Sequence, residues 1–313
     1  MRAESFLTIL YSHCILTKHR KNILRLGGMV MEDKLMAAGR KVKLIVSDID
    51  GTLLTSDRKL TKENITAIKK AKEQNIKFTI STGRVASMLD YYTKILEIDT
   101  PVITLNGAVV WDPVRNITTF DVPMNEDELK GLLELCKYYQ MDYGVMTMGT
   151  NYFSKNSFRI ARYQGYNEFA KSHGMSIMEV GTFDEDHHCI DGIRVYKLLI
   201  TDRDPKRIKI FEDHLHTLKK TGYTTSEPGL LDIAENTVNK GLGVQKLTET
   251  FRLQPEEVCA IGDYDNDISM LQYAGFSVAM GNALPNVKKH ALYVTATNNE
   301  SGLAQAMEKY ILE

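Results

Sequence analysis

The chain has 313 residues, of which 43% are hydrophobic and 25% are charged, so it is long enough for one large domain or two smaller ones. The formal net charge of −1 gives no bulk electrostatic reason to expect binding to nucleic acid or to an anionic membrane. The four cysteines show neither metal-ligand spacing nor a disulfide framework, which favours a reducing cytoplasm. The sequence carries no indication of the oligomeric state.

Residues 1–40 precede the first strong strand pattern and are treated as an N-terminal extension. The apolar run 6–16 is too short to cross a membrane, and its basic cluster follows it, whereas a secretory signal places the charge first. Gly27 and Gly28 can be encoded by a purine-rich sequence that resembles a bacterial ribosome-binding site. We therefore expect translation to start at Met29 or Met31, with the upstream residues a wrongly assigned start.

From residue 41 on, strand and helix patterns alternate. The continuous apolar run 42–46 predicts a buried parallel strand, and further strands are predicted over 76–80, 101–105 and 258–261. Thr61 is placed as the N-cap of a helix that reaches residue 75, and another helix is expected over 84–96.

The regular alternation of strands and helices stops between about residues 122 and 229, where helices at 126–139 and 205–220 combine with strands such as 143–146 and 193–200. The whole pattern predicts an α/β fold, a doubly wound parallel sheet of Rossmann-like type with an inserted α+β cap domain. Residues 41–121 and 230–313 would form the two parts of the core domain, and residues 122–229 the cap.

Polar motifs follow the predicted strand ends, where open α/β sheets build their sites. Asp48 and Asp50 follow the first strand, and Ser81, Thr82, Gly83 and Arg84 follow the second. Later come 239–241 (Asn-Lys-Gly) and, after a third strand, 262–267 (Gly-Asp-Tyr-Asp-Asn-Asp). An acid pair before glycine also occurs in plain turns, but four such motifs in order are a far more specific signal.

The series resembles the haloacid dehalogenase-like superfamily, and within it the Cof-type hydrolases, from residue 41 to the C-terminus. The resemblance implies a phosphoric monoester hydrolase that uses Mg²⁺ and passes through an aspartyl-phosphate. It implies that Asp48 is the nucleophile and that Asp50 acts first as general acid and then as general base. Asp48, the backbone carbonyl of Asp50 and Asp263 would hold the metal ion.

The remaining motif residues are expected to surround the phosphate, and phosphate binding is assigned to Ile49, Thr82, Gly83, Lys240 and Asn266. Asp267 would hold Lys240 or a metal-bound water. Two alternatives stay open: Ser81 as a substitute for Thr82, and Arg84 as either a phosphate contact or a neutralising charge.

A cap over the strand ends would exclude water and recognise the leaving group. The resemblance to the Cof-type hydrolases implies small phosphorylated metabolites as substrates, such as sugar phosphates, flavin mononucleotide or pyridoxal phosphate. The polar and aromatic candidates for this recognition are Tyr143, Tyr152, Arg159, Arg162, Tyr163 and Arg194, with Asn106 and Gly107 on the core side.

Two other functions remain as alternatives, a phosphomutase with the same chemistry and a non-catalytic sensor of a phosphorylated ligand. A degenerate sensor should have lost at least one residue of the set Asp48, Asp50, Lys240 and Asp263, and all are present. A calcium loop starting at Asp263 is disfavoured, because Ile268 and Ala274 stand where such a loop needs Gly and Glu. A dinucleotide-dependent oxidoreductase is disfavoured because the first strand–helix turn lacks the glycine fingerprint.

Overall fold

The computed structural model describes residues 31–225 and 229–312. Most of the expected extension, and the expected start at Met29, lie outside these residues. The α-helices are α1 (Met31–Gly39), α2 (Lys62–Glu73), α3 (Asp90–Ile95), α4 (Glu126–Tyr138), α5 (Phe158–Ser172), α6 (Pro205–Leu215), α7 (Lys240–Phe251), α8 (Ile268–Tyr273), α9 (Pro285–Lys288) and α10 (Gly302–Tyr310). The strands are β1 (Leu44–Ser47), β2 (Lys77–Ile80), β3 (Val102–Thr104), β4 (Val109–Asp112), β5 (Ile117–Asp121), β6 (Asp142–Met146), β7 (Asn151–Phe153), β8 (Val180–Thr182), β9 (Lys197–Thr201), β10 (Thr221–Thr224), β11 (Leu230–Glu235), β12 (Val258–Gly262), β13 (Phe276–Ala279) and β14 (Tyr293–Val294).

Five parallel strands form the core sheet, in the order β14-β13-β12-β1-β2. Strand β1 is buried along its whole length, as its continuous apolar sequence predicts for a sheet covered on both faces. Helix α2 begins at the predicted cap, where the Thr61 hydroxyl accepts a hydrogen bond from the Asn64 amide at 3.2 Å. The predicted α/β fold with a parallel sheet is therefore confirmed.

The strand order reverses at β1, because the chain first adds β2 on one side and later adds β12 on the other. Such a reversal is the switch point at which open α/β sheets leave a crevice beyond the carboxyl ends of their strands. Asp48 follows β1 and Asp263 follows β12, so the two carboxylates flank this crevice. The topology alone thus brings together acids that are far apart in the sequence.

A second, six-stranded sheet has the order β10-β11-β9-β6-β7-β8, with every neighbouring pair antiparallel except β7 and β8. Its hydrophobic core includes Leu132, Leu198, Phe211 and Leu231. Strand β11 lies between β10 and β9 of this sheet, whereas the sequence analysis placed residue 230 in the core domain. The expected boundary between residues 229 and 230 therefore needs correction, since β11 belongs to the cap sheet and core structure resumes with α7.

Helix α5 is a further element of the cap that the sequence analysis did not predict. Its apolar residues form no single stripe, and Gly165 interrupts it, so its sequence lacks the usual signal of an amphipathic helix. Tyr163 and Ala170 are buried, and the Ser157 hydroxyl caps its first turn. Among the helices of the described residues, none has the length and hydrophobicity needed to cross a bilayer.

A small sheet of β3, β4 and β5 extends the core beyond β2, which it joins through a parallel bridge from Ser81 to Ile103. A shared hydrophobic cluster connects this region to the cap. On the core side it contains Leu105 and Val109, and on the cap side Phe153, Tyr163 and Leu199. The cap therefore rests directly on the core, with the carboxyl ends of the core strands beneath it.

Candidate active site

The innermost feature of the site is the side chain of Lys240, which is completely buried between two carboxylates. Its Nζ lies 2.5 Å from an oxygen of Asp48 and 2.5 Å from an oxygen of Asp267. Lys240 is the first residue of α7, where the helix dipole disfavours a cation. Burial lowers the pKa of Lys240, but the two carboxylates outweigh both effects and raise that pKa above its usual value.

Asp267 is fully engaged by groups of the protein. One oxygen accepts from Lys240, and the other accepts from the backbone amides of Asp263 at 2.8 Å and Tyr264 at 3.0 Å. These bonds leave Asp267 poorly placed as a metal ligand, although its oxygen lies within 4.8 Å of oxygens of Asp48 and Asp263. The arrangement supports the expected role of Asp267, which is to hold Lys240.

Asp263 lies at the carboxyl end of β12 and faces Gly51 in the loop after β1. Thr52 donates a hydrogen bond of 2.7 Å to one of its oxygens. Gly51 has a φ of +86°, and a Cβ added there would lie 2.3 Å from the other oxygen, so only glycine fits. Burial, together with the charge of Asp267, raises the pKa of Asp263 to about 7.

The carboxylates of Asp48 and Asp263 form a donor set that fits a hard divalent cation. Burial raises the pKa of Asp48 well above its usual value, and the charges of Asp267 and Asp263 add to this against the opposing effect of Lys240. A cation beside two crowded, buried carboxylates relieves their repulsion and compensates their lost hydration. Asp48 and Asp263 are the side chains able to hold it, whereas the side chain of Asp50 is turned elsewhere.

Asp50 forms a two-pronged ion pair with Arg84. The Arg84 Nε and Nη2 donate to the two carboxylate oxygens at 2.8 and 2.6 Å. Burial acts to raise the pKa of Asp50, but the charge and hydrogen bonds of Arg84 outweigh it and lower the pKa. Of the two roles left open for Arg84, the structure shows the neutralising one, and Asp50 rests ionised.

Of the residues expected to bind phosphate, Thr82, Gly83 and Asn266 line the cleft, whereas Lys240 is buried beneath it. Thr82 and Gly83 follow β2, and Asn266 follows β12. Ile49 is fully buried by its side chain, so only its backbone is left for phosphate. Ser81 and Thr82 are both buried, but of the two it is Thr82 that lines the cleft, which favours Thr82 over Ser81 as the hydroxyl donor.

Asn106 lies beside two of these residues, Gly83 and Asn266. Its side-chain oxygen accepts a hydrogen bond of 3.1 Å from Asn266 and lies 2.9 Å from where a Cβ on Gly83 would be. Its backbone is left-handed, with a φ of 58°, and its buried Nδ2 has no hydrogen-bond partner among the described residues. The unsatisfied Nδ2 of Asn106 therefore leaves a hydrogen-bond donor beside Gly83 and Asn266 for a group bound in the cleft.

Above these residues lies a cleft of roughly 1150 Å³ between core and cap. Of the cap residues proposed from the sequence, Arg159, Arg162 and Tyr163 line it. The others do not: Arg194 pairs with Asp121, and the Tyr143 hydroxyl contacts His187. Cleft residues that the sequence analysis did not single out are Tyr91, Tyr92, Tyr166, Phe169, Lys197 and Asp232.

Comparison with known proteins identifies the family. A model described as haloacid dehalogenase-like hydrolase matches residues 45–307. The chain belongs to this family. Phosphatase YwpJ of Bacillus subtilis is 30% identical over 290 residues, which cover 85% of this chain and 99% of the relative. The 5-amino-6-(5-phospho-D-ribitylamino)uracil phosphatase YcsE of the same organism is 30% identical over 274 residues, which cover 87% and 96%.

A solved haloacid dehalogenase-like hydrolase from B. subtilis has the same fold, with a TM-score of 0.74 and 26% identity over 85% of this chain and 99% of that one. These matches confirm the family expected from the four motifs and the prediction that the protein is an enzyme. The roles of individual residues in this haloacid dehalogenase-like hydrolase remain predictions, supported by the geometry of the site.

Replacing Lys240 by methionine should destabilise the protein strongly, because it leaves the carboxylates of Asp48 and Asp267 buried without their cation. We expect a loss of about 3–5 kcal/mol in the free energy of unfolding, measured by urea denaturation without added metal. Lys246→Met, at a half-buried position of the same helix where the lysine pairs with the exposed Glu249, is the matched control and should change stability by less than about 1 kcal/mol. Equal stability of the two variants would contradict the buried charge arrangement.

Proposed function

We propose that this haloacid dehalogenase-like hydrolase is a Mg²⁺-dependent phosphatase of small phosphorylated metabolites that works through an aspartyl-phosphate. The observation that carries the proposal is the position of Asp48, whose carboxylate lies at the switch point of the sheet between Lys240 and Asp263 and faces the cleft. The names of the curated relatives, which are phosphatases, support the reaction class.

The reaction divides into two displacements at phosphorus. In the first, an oxygen of Asp48 forms a bond to phosphorus while the bond to the leaving oxygen breaks, and Asp50 gives its proton to that oxygen. In the second, Asp50 takes a proton from a water molecule whose oxygen attacks phosphorus. The bond to Asp48 then breaks, and inorganic phosphate and a free Asp48 carboxylate result.

The resting ion pair between Asp50 and Arg84 suits the second displacement, because an ionised carboxylate can act as a base. For the first displacement Asp50 has to carry a proton. The charge of an incoming phosphate raises the pKa of a nearby carboxyl group and competes for the guanidinium, so substrate binding itself favours protonation. Arg84 is thus placed to set the protonation of Asp50 in the free enzyme.

The other groups stabilise charge around the phosphate. Asp48, Asp263 and the Asp50 carbonyl would hold a Mg²⁺ ion, which would supply positive charge to offset the repulsion between nucleophile and phosphate. Lys240 opposes the rise in the pKa of Asp48 that burial causes, and it fixes the direction of this carboxyl group. We assign the phosphate oxygens to the Thr82 hydroxyl and the Asn266 amide, with the backbone of Ile49 and Gly83.

The cleft combines arginines with the aromatic side chains Tyr91, Tyr166 and Phe169, which suits a leaving group with polar and planar parts. These features support flavin mononucleotide, pyridoxal phosphate and phosphorylated ribitylamino-uracil compounds as substrates, in addition to simple sugar phosphates. The ribitylamino-uracil class agrees with the name of the relative YcsE. A phosphomutase of the same superfamily is the alternative, and it would differ from a phosphatase in requiring a bisphosphate activator, which a kinetic assay detects. The described cysteines are all free, which supports a cytoplasmic location.

Phosphate release should be observed from a panel of these esters in the presence of Mg²⁺, and it should stop when a chelator is in excess. We expect Asp48→Asn to reduce kcat at least about 10³-fold and Asp50→Asn about 10²- to 10⁴-fold. Asp265→Asn is the control, because Asp265 is an exposed acid that follows β12 near the site and does not line the cleft. Full activity of Asp48→Asn would exclude the proposed nucleophile.

Mg²⁺ should also stabilise the protein in the absence of substrate, by about 2.7 kcal/mol at a hundred times its Kd, which raises the Tm. Asp263→Asn should remove most of this shift, since it removes one of the two buried carboxylates that face each other. Asp265→Asn should retain the shift. A Tm of the wild-type protein that does not respond to Mg²⁺ at any concentration would argue against a metal at this position.

A further inference from the structure

Lys197 connects the cap to the loop that we propose binds phosphate. It is the first residue of β9, and its side chain is 5% exposed. Its Nζ donates a hydrogen bond of 2.8 Å to the carbonyl oxygen of Gly83, after β2 of the core sheet, and one of 2.7 Å to Asp232. A buried cation of the cap therefore holds a backbone group of the core.

Asp232 fixes the direction of this ammonium group. It lies on β11, the neighbour of β9 in the cap sheet, and its side chain is 2% exposed. Burying such a pair is costly, and two apolar side chains would fill the same space in the cap at least as favourably. The pair makes physical sense when the ammonium is needed for a contact outside the cap, and the Gly83 carbonyl is that contact.

The Gly83 carbonyl belongs to the peptide unit that leads into Arg84. Holding this oxygen fixes the plane of that peptide, and with it the direction in which the Arg84 side chain leaves the loop toward Asp50. The opposite side of Gly83 is bounded by Asn106. Lys197 therefore acts on the loop from the cap, while Asn106 bounds it from the core.

We propose that Lys197, oriented by Asp232, is a positioning residue that fixes the conformation of the phosphate-binding loop when the cap is in contact with the core. When the cap rests on the core, the ammonium fixes the loop in the geometry that accepts phosphate. When the cap moves away from the core, the Gly83 carbonyl loses its hydrogen bond to Lys197 and the loop is no longer held in that geometry. This inference rests on the proposed function in one respect, the assignment of residues 82–83 to phosphate.

Two double variants with the same charge test the proposal. Lys197→Met with Asp232→Asn and Lys197→Gln with Asp232→Asn both remove the ion pair, so neither leaves a buried carboxylate without its cation. They differ in that the glutamine side chain carries an N–H able to donate to the Gly83 carbonyl, whereas methionine does not. Lys197→Met alone is less informative, because it leaves Asp232 buried and charged and risks unfolding.

We expect the methionine double variant to remain folded but to raise KM for the ester, and the inhibition constant of inorganic phosphate, by about 10- to 100-fold. The glutamine double variant should show a clearly smaller rise in both constants. In hydrogen exchange without substrate, peptides that cover residues 81–85 should exchange faster in the methionine variant than in the glutamine variant. Equal constants and equal exchange in the two variants would overturn the proposal and leave the pair a structural element of the cap.

The two readouts separate this inference from the proposed function. Faster loop exchange in the methionine variant, with no phosphatase activity in the wild-type protein, would support the contact and contradict the function. Phosphatase activity in the wild-type protein, with identical KM and exchange in both double variants, would support the function and contradict the role of Lys197.

Discussion

The buried ammonium of Lys240 between Asp48 and Asp267 is the interaction on which the rest of the site depends. Without this cation, two carboxylates would stand unneutralised in the interior, and the pKa of Asp48, already raised by burial, would rise further. With it, Asp267 becomes a fixed support whose second oxygen also holds the backbone after β12. One lysine thus aligns the ends of β1, β12 and α7, and it leaves the outer side of Asp48 for the phosphate.

The core and the cap contribute different parts of the cleft. The core sheet supplies the charged groups at its switch point, where strand topology fixes their spacing, and helix α5 of the cap supplies arginine and aromatic side chains that line the cleft. Contacts between the two are hydrophobic around Leu105 and Tyr163, and polar where Lys197 holds Gly83. A site built in this way can keep its chemistry constant while the cap residues determine which ester is accepted.

The core and its motifs were predictable because buried parallel strands have a characteristic sequence pattern. Each strand is a continuous apolar run, followed by polar residues at the edge of the sheet where the strands end. The cap was less predictable. Strand β11 has an apolar run that fits either sheet, and only pairing with β9 and β10 decides its place. Helix α5 lacks an apolar stripe, and Lys197 and Asp232 look like ordinary strand residues until the fold places one strand beside the other.

The most direct test of the account is to trap the phosphorylated enzyme. The Asp50→Asn variant should be mixed with p-nitrophenyl phosphate, whose leaving group needs no proton, so that Asp48 can still attack while hydrolysis of the intermediate is slow. We predict a burst of p-nitrophenolate during the reaction and, after an acid quench, a phosphoryl group on the side chain of Asp48. No burst, or a phosphoryl group on another residue, would contradict the central claim that Asp48 is the nucleophile.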